Sequence, residues 1–335
     1  MKQIAVVILN WNGRSLLEQF LPSVTAHSPE ATVYVADNAS TDDSVAFVQA
    51  HYPDVKIIQN TGNFGYARGY NVALETVEEE LYCLINSDVE VSAGWLQPVL
   101  DLFEKDPETA IIQPKLLDYK NKTHFEYAGA AGGFIDKYGY PFCRGRIVDV
   151  VEEDHGQYDD ETQIFWASGA CFFIRKEAYR TLGGFDQDFF AHQEEIDLCW
   201  RAFNHNYKIR FCYKSVVYHV GGATLTAENP RKTYLNFRNS LWMLVKNLPA
   251  GKILPVLFVR MLMDGMAGAR FLLMGKFLHF FAILKAHFYF YLIFFRFLNK
   301  RKSKHYNNYY KINSIAYKYF VKNGKVFDSL FNNSL

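Results

Sequence analysis

Residues 82–91 read YCLINSDVEV. The opening YCLI has the aromatic and branched side chains of a short buried strand, yet the run ends in Asn86, Ser87 and Asp88. A buried carboxylate without a partner costs several kcal/mol. Asp88 therefore either sits at a strand end beside a solvated crevice or holds something there. Three earlier runs have the same form: IAVVILN (4–10), VYVADN (33–38) and KIIQN (56–60), each expected as a buried strand and each ending in Asn or Asp. Helical periodicity fills the gaps, through Leu16, Leu17, Phe20, Leu21 and Val24, then Val45, Phe47 and Val48, then Ala67, Tyr70, Val72 and Leu74. Strand alternating with helix predicts a parallel sheet in an α/β domain. Ligands of such sheets bind outside the carboxyl ends of the strands. Four polar strand ends in succession predict a binding crevice there, with Asp88 part of it.

The 335 residues, 50% hydrophobic and 17% aromatic, allow about two domains and a large core. A formal net charge of +1 gives no global argument for nucleic acid or acidic partners. Acids gather in 152–161 (EEDHGQYDDE) and bases in 296–304 (RFLNKRKSK). Cys83, Cys143, Cys171, Cys199 and Cys212 are odd in number and lack CxxC spacing. They predict neither a disulfide framework nor a zinc site, but buried thiols in a reducing compartment. The N-terminal MKQIAVVILNWNG carries one Lys and a short apolar stretch without a small-residue cleavage site, so a buried strand fits it better than a signal peptide. The first domain is expected in the cytoplasm.

Residues 110–222 hold more strands and fewer helices, in AIIQPKLL, FWASGACFFI and KIRFCYKSVVYHV, with the Gly-rich 128–134 and the acidic 152–161 as loops. A helix is expected from about Glu194, with Ile196, Leu198, Cys199, Ala202 and Phe203 on its inner side. From Tyr234 an amphipathic helix runs to Pro249, and 253–298 is apolar and aromatic. Its densest part, FLHFFAILKAHFYFYLIFF (277–295), approaches the ~20 residues of a membrane span. Lys285, two histidines and the basic 296–304 favour a helix lying in a membrane interface. The alternative is a helical cap packed on the catalytic domain.

Four early pieces, VILNWNG (7–13), VADNASTDDS (35–44), NFGYARGYNVAL (63–74) and LINSDVEV (84–91), resemble glycosyltransferase family 2. GACFFIRKEAY (169–179), GGFDQDFF (183–190), EEIDLCWR (194–201) and YHVGGAT (218–224) continue that pattern in the same order. The resemblance covers about residues 3–240 and lies nearest the rhamnosyltransferase-like branch. It implies an inverting enzyme of GT-A fold, a Rossmann-like nucleotide-sugar-binding mixed sheet with flanking helices. The expected division is a catalytic domain over 1–240, its nucleotide-binding half ending near 110. A helical membrane-associating segment over 241–305 and a polar tail over 306–335 follow. The implied activity moves a hexose from a nucleoside-diphosphate sugar to a glycan or lipid-linked acceptor in cell-surface polysaccharide synthesis, at the cytoplasmic face of the membrane.

The resemblance also implies roles for particular residues. Asn10, Asn12, Asp37, Asn63, Gly65, Arg68, Asn86 and Ser87 fall where the family binds the donor, Asp37 at the base and Arg68 facing the diphosphate. Asn38 and Ser40 read as helix caps. The family's DxD becomes Asn86-Ser87-Asp88, which lowers the charge of the site. Asp88 and His219 match the ligands of a divalent metal, Mg²⁺ or Mn²⁺, which suits oxygen donors and a departing diphosphate. Glu194 and Glu195 stand in place of the family's Glu-Asp pair, Glu195 in the position of the base. Trp166, Ser168 and Gly169 are expected to border the acceptor, and Asp197 with Arg201 to form a structural pair. The departures at 86 and 195 keep open a catalytically silent, membrane-tethered glycan- or nucleotide-binding module. No G-x-G-x-x-G follows the first strand, which excludes a Rossmann oxidoreductase.

Overall fold

In the computed structural model, residues 3–221, 228–301 and 304–331 are described. The chain opens with strand β1 (Ile4–Asn10), helix α1 (Arg14–Ala26), β2 (Ala31–Asp37), α2 (Ser44–His51), β3 (Lys56–Gln59), α3 (Gly65–Ala73) and β4 (Leu81–Asn86). β5 (Val89–Val91), α4 (Gln97–Lys105) and β6 (Thr109–Asp118) follow. Four short strands, β7 (Gly133–Ile135), β8 (Pro141–Cys143), β9 (Arg146–Ile147) and β10 (Val150–Val151), make a separate antiparallel sheet. β11 (Cys171–Arg175), α5 (Lys176–Leu182), α6 (Glu194–Asn204) and β12 (Lys208–His219) complete the main sheet and its cover.

That sheet has eight strands in the order β3-β2-β1-β4-β11-β6-β12-β5. The half from β3 to β4 is parallel, as the strand-helix alternation requires. β11 enters antiparallel between β4 and β6, which makes the sheet mixed. Successive side chains of a strand face opposite ways, and β1 shows it. Ile4, Val6 and Ile8 pack with α1, α2 and α4, while Ala5 and Val7 pack with the core under α3, α5 and α6. Central strands are therefore apolar on both faces. β3 departs from the expected buried strand: it is the sheet edge, and its Lys56 and Gln59 are exposed.

The parallel register sets the polar ends side by side, Asn10 opposite Asp37 and Leu9 opposite Asn86. β12 brings His219 opposite Asp118 on one side and Val89 on the other, which places it beside the turn after β4.

α7 (Pro230–Asn247), α8 (Ile253–Leu273) and α9 (Phe277–Asn299) then form a helical layer, with α10 (Ile315–Phe320) beyond it. α7 starts one turn before the apolar pattern, where Asn229 accepts the Arg231 amide and Pro230 takes the first helical position. It passes residue 240 without a break. The stretch expected as a polar tail folds back, burying Tyr309, Ile312, Ile315, Tyr319, Phe327 and Leu330. Its composition is polar, but its aromatic and branched residues fill the space under the small sheet. Residues 222–224 of the YHVGGAT motif and Lys302 of the basic run lie outside the described residues.

Candidate active site

The first cluster is a net of carboxylates, hydroxyls and amides at the ends of β1, β2 and β3. Asp37 accepts from Asn10 Nδ2 at 3.0 Å, from the Ser40 amide at 2.9 Å and from Ser40 Oγ at 2.5 Å. Asn10 is fully buried, and its Oδ1 has no hydrogen-bond partner. Asn12 is exposed and accepts the Thr41 amide at 2.7 Å, tying the two loops together. Ser40 thus holds Asp37 in place. Asn38 bridges loops instead of capping a helix: it donates to Gly65 O and accepts from Asn60. Asn63 accepts the Gly65 amide at 3.0 Å, and exposed Arg68 stacks on Phe64 with 4.1 Å to the ring centroid. Asn86 and Ser87 are half-buried in the turn before Asp88.

A second cluster lies where that turn meets β12. His219 Nε2 is 3.2 Å from Asp88 Oδ1, and His219 Nδ1 is 3.2 Å from Glu126 Oε1. All three side chains are almost buried. Burial works against a charged imidazole, but the two carboxylates outweigh it and raise the His219 pKa to about 10. Glu126 is fixed in turn by the Ala128 amide, which donates to Oε2 at 2.5 Å. Two donors bound at about 2.1 Å to one octahedral cation lie about 3 Å apart, so Asp88 and His219 have the spacing of neighbouring ligands. Among the described residues no group of three or more His, Cys, Asp or Glu forms a complete cage. Mg²⁺-like cations ordinarily fill such positions with water and substrate phosphate.

The third cluster is the start of α6. Glu194 is buried, Glu195 is half-buried, and an Oε2 of each lacks a hydrogen-bond partner. Burial, then the neighbouring Glu195 charge, pushes Glu194 well above the carboxylate range. Burial raises Glu195 to about 7, against the pull of backbone amides. Both adjacent acids are thus held above the ordinary carboxylate range, by burial before any other cause. The loop leading into them is strained: Phe190, His192 and Gln193 have φ of 65°, 69° and 71°. Asn239 of α7, fully buried, donates to the carbonyls of Phe189, Ala191 and His192 at 3.0, 2.9 and 2.7 Å. The Tyr66 amide donates to Phe190 O at 2.9 Å, and Tyr66 Oη donates to Gly169 O at 2.7 Å. Gly65 is required there, with φ +70° and a Phe190 ring carbon 2.7 Å from where a Cβ would sit.

These three clusters sit at the carboxyl ends of the strands, as a nucleotide-sugar site needs. Residues 5–183 match the family model described as glycosyl transferase family 2. The chain belongs to glycosyltransferase family 2. The enzyme is similar to the N-acetylglucosaminyl-diphospho-decaprenol L-rhamnosyltransferase of Mycobacterium tuberculosis, 25% identical over 58% of this chain and 68% of that protein. The low-salt glycan biosynthesis hexosyltransferase Agl10 of Haloferax volcanii is 24% identical over 70% of the chain and 73% of its own length. GalNAc-T7, solved with UDP, GalNAc and Mn²⁺, superimposes with a TM-score of 0.59 at 16% identity, over 75% of this chain and 49% of that one. The sheet is that of the GT-A fold.

Two of the residues expected at the acceptor are buried and bonded within the fold of this glycosyltransferase. Trp166 is a core residue whose indole N–H donates to Phe134 O at 2.8 Å, its ring filling the space beside Gly133. Ser168 is buried and donates to Ala128 O while its amide donates to Gln113 at 2.9 Å. Only Gly169 of the three lies near the acids, with 3.7 Å from its would-be Cβ to Glu195 Cγ. Arg201 and Asp197 form the expected pair, 2.8 Å apart. Glu126 and Asn239 were not expected from sequence. Neither lies in a motif, and each reaches its cluster through a fold contact far along the chain.

Proposed function

We propose that the enzyme transfers a hexose, with inversion, from a nucleoside-diphosphate sugar to a lipid-linked or glycan acceptor in cell-surface polysaccharide synthesis. The observation that carries this reading is the meeting of Asp88 and His219, 3.2 Å apart where the turn after β4 reaches the end of β12, in a chain of glycosyltransferase family 2. Asn10, Asp37, Asn63, Gly65 and Arg68 line the donor side, with Asn86 and Ser87 toward the sugar. Asp88 and His219 would hold a divalent cation, Mg²⁺ or Mn²⁺, which when bound supplies Lewis-acid neutralisation of the departing diphosphate. Glu126 orients His219 so that Nε2 faces Asp88. Glu195 takes the proton of the acceptor hydroxyl as its oxygen attacks C1, and the bond from C1 to the diphosphate oxygen breaks with its electron pair going to the nucleoside diphosphate. Neutral Glu194 donates a hydrogen bond to substrate without competing for that proton.

Catalysis falls to residues 1–240, with the donor half ending near 110, and membrane contact to 241–305. The cytoplasmic face of the membrane is the location this reading favours: α9 is long and apolar enough to cross a bilayer, and the mycobacterial relative is named for a diphospho-decaprenol acceptor. A panel of nucleotide sugars tests the function, by thermal shift with Mn²⁺ or Mg²⁺ and by release of nucleoside diphosphate. At least one donor should both stabilise the protein and turn over slowly to water, with turnover lost in chelator and in Asp88→Ala. Stabilisation without turnover would favour the silent binding module, and full activity in excess chelator would remove the metal.

A further inference from the structure

The near-zero net charge hides a division along the chain. Residues 229–335 contain 18 Lys and Arg but only two acids, Asp264 and Asp328. Asp264 is fully buried against Arg260 at 2.8 Å, so exposed Arg270, Lys276 and Lys285 leave α8 and α9 cationic at their surface. The same two helices expose large apolar side chains in register. Leu254, Phe258 and Leu262 recur every four residues on α8, and Phe281, Phe288 and Phe295 every seven on α9. All six are more than half exposed. Exposed apolar stripes of this kind mark an interaction site, and cations beside them mark its partner as anionic.

The opposite faces of these helices are fastened to the catalytic domain. Ile283, Ala286 and Phe290 of α9 are buried. Asp264 accepts from Tyr140 Oη at 2.9 Å and contacts His287 Nε2 at 3.2 Å, while Arg260 donates to Ser240 Oγ at 2.8 Å. Arg296 and Lys300 pair with Asp188 at 2.7 and 2.8 Å. A helix crossing the bilayer would carry these ionic groups into hydrocarbon or tear them apart, at high cost either way. The N-terminal ends of α7 and α9 meet where Thr233 Oγ1 lies 2.7 Å from His279 Nδ1. Arg231, two residues earlier, stacks on Phe190 of the strained loop at 5.4 Å. His279, two residues before Phe281, is thus linked through the start of α7 to the loop that precedes Glu194.

We propose that the exposed faces of α8 and α9 form a monotopic docking surface for an anionic lipid bilayer, with both helices lying in the plane of the interface and not crossing it. This deepens the membrane location given above. An amphipathic pair with cations at its rim binds by this geometry, and it delivers the crevice to the headgroup level, where the diphosphate of a lipid-linked acceptor resides.

The test uses the full chain. All five native cysteines are buried, so single cysteines placed at 258, 281, 288 and 295 can carry an environment-sensitive fluorophore. With vesicles of phosphatidylglycerol and phosphatidylcholine, all four labels should be quenched mainly by a shallow lipid-borne quencher. Phe281→Glu with Phe288→Glu should lower vesicle binding at least about tenfold, as should vesicles of phosphatidylcholine alone. Circular dichroism and donor turnover in solution should stay unchanged. Deep quenching at 288 with shallow quenching at 295 would show a spanning helix and overturn the proposal. Unchanged vesicle binding in the double variant would overturn it too. So would a wild-type dimer that the variant splits, because a second copy would then cover the face. Loss of donor turnover in the wild type would instead remove the catalytic reading and leave the vesicle result standing.

Discussion

Glu194 and Glu195 share a helix turn, and the proposed mechanism gives them different work. Glu195→Gln keeps the shape but cannot take a proton, and kcat should fall 10²–10⁴-fold with donor affinity nearly unchanged. In the wild type, kcat should rise with pH through about 7 as Glu195 ionises. The same burial costs stability. Both acids hold protons in the folded chain that the unfolded chain releases. Their contribution is fully present below the ordinary carboxylate pKa and declines as pH rises toward the folded value. Glu194→Gln should therefore raise Tm more at pH 8 than at pH 5, while affecting acceptor KM more than kcat. A fall in kcat in Glu194→Gln and not in Glu195→Gln would exchange their roles. Glu126→Gln should weaken Mn²⁺ affinity about 10–100-fold, the range for groups that orient a metal-bound histidine. Titration calorimetry of the nucleotide-loaded protein reads this directly, and equal affinities would reduce Glu126 to a packing residue. Asp88, His219 and Glu195 could be singled out in the sequence because each lies within a short motif of the family resemblance. Glu126 was not, since only the pairing of distant segments brings it to His219.

The helical layer is joined to the acids by buried charge. Lys246 of α7 lies 2.9 Å from Asp186 and 2.8 Å from Asp197, and Lys300 of α9 lies 2.6 Å from Asp186. Burial opposes ionisation of Asp186 and Asp197, but these lysines and Arg201 hold both below the usual range. Their contribution is present above the ordinary carboxylate pKa and is lost as pH falls. Lys246→Met removes the cation that Asp186 and Asp197 share, leaving Lys300 to one and Arg201 to the other, and should cost about 1.5–3 kcal/mol, measured by urea unfolding at pH 7, and less at pH 4. A loss within experimental error at pH 7 would show the network to be dispensable. Elements were legible where periodicity had length to declare itself, as in α1 and α6. α7 began before its apolar pattern because its first turn, PRKT, is polar and held by a cap. The strands β7 to β10 have two or three residues each, too few for any period to show.

The chain past residue 249 is part of the core as well as a candidate membrane surface. The Ile315 amide donates to Asp136 at 2.9 Å, Tyr309 packs on Trp200 at 5.0 Å, and Phe327 sits 5.4 Å from Phe134. Truncation after Pro249 should therefore abolish cooperative thermal unfolding, and a truncated chain with the full-length Tm would show an independent catalytic domain. The α/β half of the fold was legible because three strand-helix units repeat before a fourth strand, and the mixed sheet was legible only through the family resemblance. The return of the tail was hidden by its polar composition. The central claim is that the crevice at the strand ends binds a nucleoside diphosphate through a cation held by Asp88 and His219. Anomalous scattering at the manganese edge, from crystals grown with nucleoside diphosphate and Mn²⁺, tests it most directly. One strong peak should lie about 2 Å from an Asp88 oxygen and from His219 Nε2, and a peak elsewhere, or nucleotide bound there with none, would contradict a cation held by these two residues.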